Sequence, residues 1–139
     1  MKMKIWVHTV VSSIIALLLY PVFNWKVLLV LVGGVLIDAD HYLYTIIKFK
    51  NLSIADSYNF HRDNTIQKKF KKIKDILLIF HTIEFLIIMT ILSFYSDIFL
   101  IITLGIILHY LLDFIDQYSI AGHIMITPSI AYWLIKNNK

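Results

Sequence analysis

Two aspartates and a histidine, in the order Asp38-x-Asp40-His41, interrupt an apolar run at positions 27–47. Burying a carboxylate in hydrocarbon costs at least about 2.5–3.5 kcal/mol on insertion scales, so such a group needs a compensating partner. No Lys or Arg stands between positions 27 and 47, which leaves imidazoles from other segments, a proton or a metal cation. Further along, His81 and Glu84 are three residues apart and His109 and Asp113 four apart, so each pair shares one face of a helix. A histidine and a carboxylate projecting inward from each of several helices is how helical bundles build dinuclear metal sites. Asp38, Asp40, Glu84 and Asp113 bring negative charge beside neutral imidazoles, and two divalent ions would neutralise the set. The expected metal ligands are His8, Asp38, His41, His81, His109, Asp113 and, just after Gly122, His123. Zinc is the expected ion, with manganese or iron as alternatives for an oxygen-rich set. Asp40 and Glu84 are the candidate general bases, and Asp40 has a second reading as a group that orients a histidine.

These residues need elements to hold them. Of the 139 residues 59% are hydrophobic and the mean hydropathy is +0.76, well beyond the profile of a soluble domain. The sequence therefore predicts a single all-α integral membrane domain. Four transmembrane helices, near 5–23, 27–47, 76–95 and 98–118, form an up-down bundle. A short segment near 120–135, holding Pro128, Tyr132 and Trp133, is an interfacial, re-entrant or fifth helix. The Gly33-Gly34 pair permits close approach by a neighbouring backbone. A net charge of +4 could suggest nucleic acid, but the cations sit at the ends of apolar runs and in one segment, 48–74. By the positive-inside rule that segment is a cytoplasmic loop and the N-terminus lies on the same side. Within it, Ile66, Phe70, Ile73 and Leu77 make an apolar stripe opposite lysines, as in a helix lying on a membrane surface. The absence of cysteine removes disulfides and thiolate ligands.

Depth can be counted along each span at 1.5 Å per residue. His8 lies roughly 5 Å from the inner end of its helix, and Asp38, His41, His81, Glu84, His109 and Asp113 lie about 8–14 Å from theirs. Helices running in alternating directions would scatter unrelated polar residues over both halves of the bundle. One inner layer holding them all predicts a shared site.

Asp38-x-Asp40-His41, His61-Arg62 and Gly105-x-x-x-His109-x-x-x-Asp113, with His8 opening the first helix, resemble the membrane-bound metal-dependent hydrolase family, the YdjM-like inner-membrane proteins. Family members usually continue with His-Arg-Gly-x-Thr-His-Ser, whereas this chain reads His61-Arg62-Asp63-Asn64-Thr65-Ile66-Gln67, and His81 is the candidate for the missing imidazole. The His-x-x-x-Asp pair is also similar to one that binds metal in zinc-dependent phospholipase C. The resemblance implies a hydrolase of the inner membrane acting on a phosphoester or related bond of a lipid or amphiphile. By their charge, Arg62 and the basic segment Lys68 to Lys74 are expected to draw in anionic headgroups. Two rivals remain: a metal-ion or proton transporter, which needs a polar path through both halves, and a non-catalytic scaffold stabilised by metal. The sequence sets no oligomeric state.

Overall fold

A computed structural model describes residues 5–66, 77–121 and 129–137. Among them every regular element is helical: α1 (Ile5–Phe23), α2 (Leu29–Gly34), α3 (Ala39–Phe49), α4 (Ile54–Ile66), α5 (Ile83–Ser93), α6 (Asp97–Ala121) and α7 (Ile130–Asn137). Single 3-10 turns at Asn24–Leu28, Leu36–Asp38 and Ile79–His81 join or precede them. The apolar helical runs Ile5–Phe49 and Asp97–Ser119 are long and apolar enough to cross a membrane.

The first run reverses on itself. Pro21, near the end of α1, lacks the amide that would bond one turn back, and Asn24 then takes a left-handed φ of 52°. Beyond that bend, Ala16 of α1 packs with Val27 and Val30, and with Ile101 of α6. Since His8 of α1 meets Asp113 of α6, α1 runs antiparallel to α6. Val30 and Gly34 of α2 lie beside Gly105, and the Gly34 carbonyl lies beside His109, so α2 and α6 run parallel. Thr103 donates to the Met89 carbonyl while Tyr110 reaches Phe80 and Thr82, which makes α5 antiparallel to α6. The four arms thus alternate in direction; of the four expected crossings, the described residues show two apolar runs long enough to span a membrane.

Several boundaries differ from the expected ones. The second arm is no continuous 27–47 helix: it breaks at Val35 (φ −131°, ψ −49°), one residue after two glycines that favour helix poorly. The Asp38 amide turns to the Val35 carbonyl, which releases the Gly34 carbonyl from its place in the helical ladder. The third arm, expected over 76–95, becomes helical only at Ile83, because Leu78 and Thr82 are extended around the turn that carries His81. At 11 residues α5 is about 16 Å long, short of a 30 Å hydrocarbon core. The segment 48–74 is not simply a loop, since α4 occupies 54–66 and pins itself to α3 through Ser57 and Thr45, whose hydroxyls are 2.9 Å apart. The expected surface helix over 66–77 falls mainly outside the described residues. Of the segment at 120–135, α7 is described from Ile130 to Asn137; at about 12 Å it is too short to cross.

The interior holds polar residues, His8, Ser12, His81, Thr82, Thr103 and His109, beside apolar ones, Val30, Ile37, Ile101 and Ile106, whereas Leu17, Leu18, Val22 and Ile47 are each about 70% exposed or more. The tightest crossing is α2 on α6, and glycine makes it close. A Cβ added at Gly33 would overlap the Ile102 carbonyl oxygen, and one at Gly105 the Val30 carbonyl oxygen. Gly33→Ala should therefore destabilise the folded chain by about 1–3 kcal/mol, the usual cost of overpacking. Thermal unfolding in detergent measures it against Val32→Ala on the exposed side; equal melting temperatures would contradict this crossing.

Candidate metal centre

α6 supplies His109 and Asp113 one turn apart, both inward. The freed Gly34 carbonyl accepts a hydrogen bond from His109 Nδ1 at 3.0 Å, so the proton sits on Nδ1 and Nε2 presents a lone pair. His81 is fixed by the same logic from the opposite side: its Nδ1 donates to Asp40 Oδ2 at 3.0 Å, again leaving Nε2 as an acceptor. The two Nε2 atoms face each other at 3.1 Å. Asp38 Oδ1 lies 3.6 Å from His81 Nε2 and 3.5 Å from His109 Nε2; Asp113 Oδ2 lies 3.7 Å and 3.4 Å from the same atoms.

The four nitrogen–oxygen distances are too long for hydrogen bonds, which run about 2.7–3.2 Å. They suit something else. Four ligands at about 2.0–2.2 Å around a tetrahedral ion stand about 3.3–3.6 Å from one another. A proton shared between the imidazoles would satisfy the nitrogen pair and leave both carboxylates unserved, whereas a cation can serve the nitrogen pair together with a carboxylate. The residues present could therefore hold a metal ion.

Two more imidazoles flank this core. His8 Nε2 approaches Asp113 Oδ1 at 3.4 Å, its ring stacked on His109 at a centroid distance of 4.3 Å. On the other side, His41 Nδ1 lies 3.5 Å from Asp38 Oδ1 and 3.1 Å from Asp40 Oδ1. Two groups, His8 with His109 and Asp113, and Asp38 with His41 and His81, could each hold an ion. Six of the seven expected ligands thus come together; the seventh, His123, lies outside the described residues, as do the side chains of His61 and Arg62. The cluster is buried on the α1 and α6 side, where His8 and His109 are almost fully covered, and opens where the side chains of Asp38, Asp113 and His41 are 21–25% exposed.

The two candidate bases sit differently from expectation. Both Asp40 oxygens are engaged: Oδ1 by His41, and Oδ2 by His81 and by the Phe80 amide at 3.1 Å. Asp40 therefore orients histidines, the second of its two expected roles. Glu84 points away from the cluster. Its oxygens accept from the Ser129 hydroxyl at 2.6 Å and from the Ile130 and Ala131 amides at 3.1 and 3.2 Å, so it caps α7 across the chain. Its spacing from His81 suggested a shared helical face; the break at Thr82 voids that inference, because His81 is not on α5 at all. Sequence reasoning missed the Gly34 carbonyl and Tyr110. The double glycine and a tyrosine adjoining a ligand inside an apolar helix were the available signals.

No family model, no curated protein and no solved structure matches the chain. The site therefore rests on its own geometry. Glu84→Gln should keep full metal occupancy while loosening α7, seen as faster proteolysis near Ser129; Asp113→Asn should lose most of its metal. Metal analysis of both purified variants checks this, and metal loss in Glu84→Gln would return Glu84 to the centre.

Proposed function

We propose that this chain is a membrane-embedded, metal-dependent hydrolase acting at the inner leaflet on a phosphoester or related bond of a lipid or amphiphile. The observation that carries the reading is the convergence of imidazole lone pairs and carboxylate oxygens with no basic side chain among the described residues to offset them. Each three-residue group leaves an ion with an open position, which distinguishes catalytic from structural sites. Asp38, Asp40 and Asp113 against two divalent ions leave one net positive charge, suited to an anionic ester; against one ion they leave a net negative charge. Bound there, such ions acidify water and polarise the ester oxygen. The chain's own residues hold the site: Asp40 fixes His81, Gly34 fixes His109, and Asp113 is divided between His8 and the central imidazoles.

Membrane embedding is supported by the outward apolar side chains and by how the two backbone breaks are satisfied. Irregular backbone is tolerated at membrane depth only where protein partners serve it. Here the Gly34, Phe80 and Thr82 carbonyls and the Phe80 amide all meet side chains. In this reading the four arms cross, the N-terminus and the basic 48–74 segment lie in the cytoplasm, and Lys26 pairs with Asp97 at the outer end at 3.3 Å.

The central distances also favour a second reading. Asp38, His81, His109 and Asp113 alone could close around one ion, which is the pattern of a structural site in a scaffold or a binding site in a transporter. Metal analysis beside turnover separates the two. Hydrolysis predicts about two divalent ions per chain, zinc first, and cleavage of a chromogenic phosphodiester amphiphile that stops on chelation. One ion with no ester turnover would replace the hydrolase by the closed site; no ion at all would sink both.

A further inference from the structure

Tyr110 follows His109 on α6 and has no part in the donor set. Its position nevertheless decides where His81 can be. His81 lies in a single 3-10 turn between two extended residues, Leu78 and Thr82, so no continuous helix holds it in register. The Tyr110 hydroxyl is shared between the Phe80 carbonyl at 2.6 Å and the Thr82 carbonyl at 3.0 Å, bracketing His81 on both sides along the backbone. The phenol ring also lies nearly parallel to the His81 imidazole, 14° between planes and 6.1 Å between centroids. From the opposite side Asp40 takes the Phe80 amide and His81 Nδ1. The turn is thus gripped by one residue of α3 and one of α6, the same two arms that present Asp38, His109 and Asp113.

We propose that Tyr110 is the positioning residue of the metal centre: its hydroxyl sets the Phe80–Thr82 turn so that His81 Nε2 meets His109 Nε2 and the two carboxylates. The role rests on the metal reading, and on the turn geometry independently of it. Losing the hydroxyl releases two carbonyls and lets the turn swing about Asp40, which moves Nε2 while leaving His81 in place as a residue. Outer partners of metal ligands typically change affinity by about 10–100-fold, and that is the loss expected here.

The test is Tyr110→Phe, which keeps the ring and its packing, beside Thr103→Val. Thr103 likewise donates across the α5–α6 contact, to the Met89 carbonyl at 3.0 Å, but far from the cluster. In competition titrations with zinc, Tyr110→Phe should bind about 10–100-fold more weakly than wild type, and Thr103→Val should stay within about threefold of it. The cobalt-substituted Tyr110→Phe protein should show shifted d–d absorption bands, and Thr103→Val should not. In metal-free protein labelled with nitrogen-15, Tyr110→Phe should shift the His81 Nε2 ring signal, because Nε2 leaves His109, while Asp40 keeps the proton on Nδ1. Unchanged affinity, bands and ring signals would overturn the proposal, as would an equal affinity loss in Thr103→Val at matched stability. A wild type that binds no ion would defeat the metal reading, and the ring signals of metal-free protein would then decide the role of Tyr110 alone.

Discussion

Acceptor atoms brought close together are the constraint on which this structure turns. His81 Nε2 and His109 Nε2 stand 3.1 Å apart, and Asp38 Oδ1 and Asp113 Oδ2 each lie 3.4–3.7 Å from both. Buried acceptors this close repel one another unless a proton or a metal ion lies between them. The rest of the molecule can be read as the means of holding these atoms together against that repulsion. Asp40 and the Gly34 carbonyl take the Nδ1 protons, so the two central imidazoles have no choice but to offer Nε2 inward.

The breaks in the second and third arms belong to the same logic. A carbonyl within a regular helix already accepts the amide four residues on and offers a side chain only its second lone pair, as Met89 does to Thr103. Ending α2 after Gly34 frees one carbonyl for His109 while the glycines let α2 and α6 approach closely enough to use it. Beginning α5 only after Thr82 lets the preceding turn deliver His81 sideways into the bundle, where a helical His81 would have shared its face with Glu84. Buried polar groups sit between two apolar clusters, one around Val30 and Ile101 and one around Ile37 and Ile106, and much further apolar surface faces outward.

Much of this was legible in the sequence, and the parts that were not have physical reasons. Apolar runs and the Gly33-Gly34 pair announce the arms and their crossing. Asp38, His41, His109 and Asp113 declare themselves by spacing on single faces, and His8 by its depth. What periodicity cannot show is where a helix stops being one. Counting His81 and Glu84 as one face assumed a continuous helix, and it assigned Glu84 to chemistry when its oxygens cap α7. The Thr82 cap was written in the sequence as a threonine at the N-cap position, but within an apolar run it did not stand out. The Gly34 carbonyl and the Tyr110 hydroxyl act through backbone partners, which no spacing of side chains can reveal.

The central claim is that imidazoles and carboxylates of this chain coordinate a divalent ion directly. X-ray absorption at the zinc edge of the purified, zinc-loaded protein tests it without reference to turnover. The account predicts nitrogen and oxygen neighbours at about 2.0–2.2 Å with the outer-shell scattering of two imidazoles per ion. A shell of oxygens alone, with no imidazole signal, would place the ion elsewhere and contradict it.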